Sequence, residues 1–266
     1  MSLYKNFKTL FCGILLFFLI NASFAQHQKL YKHKQYISNG DTLKYRILLP
    51  KNFDESKQYP VVLFLHGAGE RGNDNKAQLV HGSKLFLKEN VRDSFPSIVV
   101  FPQCPKEGYW SNARVDRSTK PISLKYPVNA EPTISLSLVM KLMDEYLGKP
   151  FVNTNKVYVG GLSMGGMGTF EILYRKPDMF AAAFAICGGG NPEGAKEYAA
   201  KTELWVFHGA KDDVVNPQLS IDMVSGYLKY GGKPNFTLYA DDNHNSWDSA
   251  FAEPELLPWL FSKSKK

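Results

Sequence analysis

The sequence is short of cysteine. Of three in 266 residues, Cys12 lies in an N-terminal apolar run, so Cys104 and Cys187 serve the body of the chain. Two thiols cannot make a zinc or iron–sulfur cluster, and neither a metal nor a cofactor is expected. An exported chain admits a Cys104–Cys187 disulfide. The competing reading is two small buried residues at strand ends. Internal repeats and low-complexity linkers are also lacking, which argues for one domain and against propellers and solenoids. The charge is +7, yet basic and aromatic residues are not interleaved and no basic helix face stands out, so nucleic acid is not an expected partner. The basic tail Lys263-Ser264-Lys265-Lys266 reads as a solvated end.

The apolar run Leu10–Ile20 falls short of the roughly 20 residues that span a bilayer. Lys5 and Lys8 precede it, and Ala22-Ser23-Phe24-Ala25 follows with small residues at the −3 and −1 positions of a cleavage site. Residues 1–25 are expected to be an export leader cleaved after Ala25. Cys12 lies within the run, which argues against lipidation there. Residues 26–266 then form one secreted or periplasmic domain with no membrane attachment.

Strand-like and helix-like segments alternate through that domain. Lys34–Leu49 reads as a hairpin turning at Asn39-Gly40. Val61–Leu65 is a continuous apolar run typical of a strand buried on both faces, and 97–101, 156–159, 182–186, 204–207 and 236–239 share its character. Helical patterns cover 132–147, 165–174, 217–230 and 249–261. The expected fold class is α/β, with a mostly parallel sheet and helices on both faces, and with its site beyond the carboxyl ends of the strands. Pro105–Glu131 has no clear period and is expected to be a substrate-facing loop.

Val157-Tyr158-Val159 leads into Gly160-Gly161-Leu162-Ser163-Met164-Gly165-Gly166, a Gly-x-Ser-x-Gly elbow between strand and helix. Such a turn raises a serine hydroxyl above the sheet and places free N–H groups beside it. Ser163 is the expected nucleophile. A serine needs a base, and only two of the six histidines, His208 and His244, follow it. His208 ends an apolar strand and reads as structural. His244 lies in the polar loop Asp241–Trp247, where a base is expected, and Asp241 and Asp242 are expected to shape that loop. Asp212 and Asp213 both suit the acid, and the residues alone do not separate them. The loop His66-Gly67-Ala68-Gly69-Glu70-Arg71-Gly72 should donate the second oxyanion N–H. The amides of Ala68 and Met164 are the choice, Gly69 the alternative, with Glu70 and Arg71 expected to pair. A phosphate cradle is the competing reading of such a loop, and it is set aside on the expectation that the loop matches neither the P-loop nor the dinucleotide fingerprint.

Taken together, His66–Gly72, Pro102-Gln103-Cys104-Pro105, Gly161–Gly166, His208-Gly209-x-x-Asp212-x-Val214-Val215 and His244-Asn245-Ser246-Trp247 resemble a bacterial α/β-hydrolase family. That family includes secreted feruloyl and acetyl-xylan esterases, polyhydroxybutyrate-depolymerase-like esterases and predicted peptidases. The resemblance covers roughly residues 35–262 and implies an acyl-enzyme mechanism, with Asp212 as the acid. Asn216 stands where proline is usual. It also implies a small or polymer-attached ester substrate, such as acetyl or feruloyl groups on plant polysaccharide. Tyr109, Trp110 and Trp247 are then candidates to stack on sugar or feruloyl rings. The alternatives are a prolyl-oligopeptidase-like serine peptidase and a non-catalytic polysaccharide-binding module.

Overall fold

A computed structural model describes residues 29–127 and 130–265. The expected leader lies outside the described residues. Clustering of contacts separates residues up to Lys32 from His33–Lys266, and the architecture below is that of the larger unit.

Strands β1 (Lys32–Ser38) and β2 (Asp41–Leu48) form the N-terminal hairpin. Both turn residues take positive φ, 54° at Asn39 and 86° at Gly40, the conformation that makes Asn-Gly a tight hairpin turn. β3 (Tyr59–Leu65), β4 (Ile98–Pro102), β7 (Val152–Leu162), β8 (Ala182–Ile186), β9 (Glu203–Gly209) and β10 (Asn235–Tyr239) complete a sheet of order β1-β2-β4-β3-β7-β8-β9-β10. β2 runs antiparallel to β4, while every pairing from β4 through β10 is parallel. Two short strands, β5 (Arg114–Asp116) and β6 (Ser123–Lys125), pair separately within the Pro105–Glu131 segment.

The helices are α1 (Ser83–Leu87), α2 (Glu89–Ser94), α3 (Ile134–Leu147), α4 (Met164–Arg175), α5 (Gln218–Lys229), α6 (Trp247–Ala252) and α7 (Leu256–Ser262). Side chains alternate across a strand, so the central strands cover both faces. On one, Val61, Leu63, Leu65, Val157 and Val159 join α3, α4 and α5 in a single core. On the other, Phe64 meets Phe101, Phe184 and Phe251 of α6, and Trp205 meets Trp259 of α7. Continuous apolar strands are thus required, because neither face is open to water.

One expectation needs correction, and one open alternative is settled. The 249–261 helix is two helices, because Glu253 ahead of Pro254 is extended (ψ 114°), as proline demands of the residue before it. Cys104 and Cys187 are free and buried, not a disulfide. Among the described residues no helix is long and apolar enough to cross a membrane.

Candidate active site

β7 ends at Leu162, and Ser163 turns the chain into α4 with φ 52° and ψ −116°, a conformation that costs a residue with a side chain on the order of 1–3 kcal/mol. Hydrogen bonds hold the turn: Ser163 N–H donates to the Ile186 carbonyl at 2.8 Å, and Met167 N–H to the Ser163 carbonyl at 3.0 Å. The flanking glycines are steric necessities. A Cβ on Gly161 would strike the Gly165 carbonyl, and one on Gly165 would strike that of Leu65.

Ser163 Oγ lies 3.0 Å from His244 Nε2, and His244 Nδ1 lies 2.8 Å from Asp212 Oδ2. A carboxylate only accepts, so Nδ1 carries the proton and Nε2 is free to take the serine's. The three residues follow β7, β9 and β10 at their carboxyl ends. Of the two candidates Asp212 is the one that reaches His244: its side chain is fully buried, while Asp213 donates its backbone N–H to Asn243 Oδ1 at 3.1 Å. The amides of Val214 and Val215 donate to Asp212 Oδ1, both at 2.9 Å. Burial alone would raise the Asp212 carboxyl. Hydrogen bonds from His208 and His244 outweigh it and hold the group well below the usual carboxylate range.

The β10–α6 loop is tied to the acid loop. Lys211 N–H donates to the Asp242 carbonyl at 2.9 Å, and Lys211 Nζ meets Asp241 at 2.6 Å. Asp241 and Asp242 thus shape the loop, while Asn243 Oδ1 also accepts the His244 N–H at 2.7 Å.

Ala68 opens a short 3₁₀ turn, Ala68–Glu70, and Met164 opens α4. Amides in a helix's first turn have no intrahelical acceptor. Ala68 borders the Ser163 cleft, and Met164, the residue after Ser163, is buried. The expectation that this loop does not match the dinucleotide fingerprint is wrong, since Gly67–Gly72 spell Gly-x-Gly-x-x-Gly. The loop makes one 3₁₀ turn rather than entering a helix, so the phosphate-binding helix terminus that gives the pattern its meaning is absent here. Glu70 and Arg71 do not pair with each other. Glu70 reaches His81 at 3.7 Å, while Arg71 donates to the Ala68 carbonyl at 3.0 Å and that of Gly108 at 3.3 Å.

His66 and the Pro102–Pro105 motif hold this loop, a role the sequence did not reveal. Cys104 N–H donates to His66 Nε2 at 3.0 Å, and His66 Nδ1–H to the Gly67 carbonyl at 2.6 Å. Burial pushes the His66 imidazole down to about 4, so it stays neutral. Trp110 Nε1–H donates to the His66 carbonyl at 3.1 Å. Trp110 is 0% exposed, which overturns its expected stacking on substrate: no face is left for a ring.

The cleft over Ser163 is bordered by Tyr109, Arg117, Ile122, Met167, His244 and Trp247, among others. Trp247 packs edge-on against the His244 ring, centroids 5.4 Å apart. Ile122 N–H donates to the Val214 carbonyl at 2.9 Å, which fixes the β5–β6 segment to the acid loop.

A family model described as "Putative esterase" matches residues 38–238. The chain belongs to the Esterase family. A crystal structure of a thermostable esterase shares 32% identity at a TM-score of 0.79, covering 89% of this chain and 64% of that one. The bifunctional acetylxylan esterase/xylanase XynS20E of Neocallimastix patriciarum is 29% identical over 170 residues, 64% of this chain and 21% of the enzyme. Dipeptidyl-peptidase 5 of Porphyromonas gingivalis is 23% identical over 201 residues, 74% of this chain and 26% of the peptidase. The chain thus spans only a minor part of both curated relatives, and its fold is of the α/β-hydrolase type.

Proposed function

We propose that this esterase is a secreted serine hydrolase that cleaves acyl esters of plant polysaccharide, acetyl or feruloyl, through an acyl-enzyme on Ser163. The observation that carries the reading is the Ser163–His244–Asp212 relay opening onto the cleft at the strands' carboxyl ends. Ser163 Oγ attacks the ester carbonyl as His244 Nε2 takes its proton, and Asp212 steadies the imidazolium. Backbone N–H groups of Ala68 and Met164 receive the oxyanion. As the ester C–O bond breaks His244 gives its proton to the departing sugar oxygen, and a water activated by the same base then releases the acid from Ser163. Neither metal nor cofactor has a step in this scheme. The acetylxylan esterase likeness and the aromatic walls Tyr109 and Trp247 support an acyl-polysaccharide substrate. The leader-like residues 1–25 support export.

Mass spectrometry of products from acetylated and feruloylated xylan, run beside dipeptidyl and acylaminoacyl peptide substrates, tests this reading. Acetate or ferulate release with intact peptides is expected. Peptide cleavage with untouched xylan esters would favour the peptidase, and binding to xylan without cleavage of either would favour a binding module.

A further inference from the structure

Asp212 has a second imidazole partner. His208, the last residue but one of β9, is 0% exposed, and its Nε2 lies 3.1 Å from Asp212 Oδ2 and 3.1 Å from the Val215 carbonyl oxygen. Both atoms only accept, so Nε2 carries a proton and is shared between them. At the other edge of the ring, Nδ1 lies 2.7 Å from Ser220 Oγ on α5, and that hydroxyl also lies 3.1 Å from the Gly188 carbonyl. Ser220 has one proton for two acceptors. If it goes to Nδ1 the ring is neutral, and if it goes to Gly188 the ring must be an imidazolium. In either state Nε2 keeps its proton and donates it to Asp212.

Asp212 therefore receives four N–H donors: Val214 and Val215 on Oδ1, and His244 and His208 on Oδ2. The two imidazoles share one oxygen, so each weakens the other's hold on it. Among the described residues, the Cys187 thiol is also titratable near Asp212, Asp213 adjoins Asp212 in the chain, and Glu70, His81 and Arg117 border the same cleft as His244. The Cys187 Sγ, an Asp212 oxygen and a His244 ring nitrogen lie within 4.8 Å of one another. Burial, with Asp212's charge adding, pushes this thiol up, so it stays uncharged at neutral pH.

We propose that His208 is a positioning residue of the relay, fixing Asp212 through Nε2–H and tempering the basicity that Asp212 confers on His244. The proposal rests on the serine-hydrolase reading above. Removing the His208 donor leaves more of the Oδ2 charge to His244, which stabilises its imidazolium. The acid limb of the kcat/KM profile then moves to higher pH.

The test compares His208→Asn with His208→Gln. Both are polar, but asparagine places its amide near Nδ1 and glutamine near Nε2, so only glutamine restores a donor to Asp212. For His208→Asn on p-nitrophenyl acetate, the acid limb should rise by about half to one pH unit, the size of one hydrogen bond's net contribution. Its kcat should fall about 10- to 100-fold, as where outer partners orient a functional imidazole elsewhere, with KM little changed. His208→Gln should keep the wild-type limb. An unmoved limb in His208→Asn would overturn the proposal, as would an equal shift in His208→Gln. If neither variant folds, proton NMR of the wild type decides: two downfield ring N–H signals are expected, both persisting on the alkaline side of the acid limb because each imidazole keeps its proton toward Asp212. A single signal there would overturn the proposal. A Ser163→Ala variant that retained activity would instead sink the underlying relay, whatever His208 does.

Discussion

At the residue scale, Asp212 and Asp213 are neighbours with opposite environments. Asp212 is buried under four N–H donors, and Asp213 has an exposed side chain. Asp212→Asn should cost roughly 10⁴-fold in kcat, because the amide favours the wrong His244 tautomer, while Asp213→Asn should stay within about threefold of wild type on the same scale. Steady-state kinetics on one small ester checks both, and a reversed ranking would refute the assignment. His66 makes a separate prediction about stability. Its folded pKa, about 4 against 6.5 when unfolded, means the unfolded chain binds more protons between those values. Stability is therefore full above about pH 6.5 and falls as pH drops toward 4, by on the order of 3 kcal/mol from this group. Thermal melts of wild type and His66→Asn across that window should show a shallower slope in the variant. Ser163, His244 and the Asp212–Asp213 pair were legible in the sequence because their chemistry dictates residue types and their order. His66 and His208 were not, since both end apolar strands and only three-dimensional contacts distinguish a packed imidazole from one that holds a loop or a carboxylate.

At the scale of elements, the Pro105–Glu131 segment divides into two functions. Tyr109, Arg117 and Ile122 border the cleft, whereas Trp110 is built into the scaffold beneath the Gly67–Gly72 loop through its bond to His66. Trp110→Ala should destabilise the fold by roughly 3–5 kcal/mol, as loss of a fully buried aromatic does. Calorimetry should find the lowered Tm, and losses of activity on acetyl and feruloyl substrates should be equal. Loss on the feruloyl substrate alone, with Tm unchanged, would show that Trp110 touches substrate after all. The sequence showed an aperiodic, aromatic stretch but could not tell which aromatic faces inward, because no period exists there from which to read a face. Strands were read more easily: β8 lies where its apolar run placed it, since burial on both faces leaves little freedom in composition. The short helices between β3 and β4 were missed, their length giving no helical period to detect.

For the whole molecule, the parallel sheet gathers three loops from distant parts of the chain at one end, and the account depends on what that gathering does to a single hydroxyl. Ordinary serines do not react with fluorophosphonates at neutral pH, whereas one whose proton is taken by a positioned base does. The most direct measurement is to treat the folded protein with a fluorophosphonate probe, digest it and locate the modified residue by mass spectrometry. The result should be stoichiometric labelling at Ser163, lost in His244→Ala, with Ser163→Ala folded and reduced in activity by on the order of 10⁶-fold. Labelling of a different serine, or hydrolysis that persists in Ser163→Ala, would contradict the account.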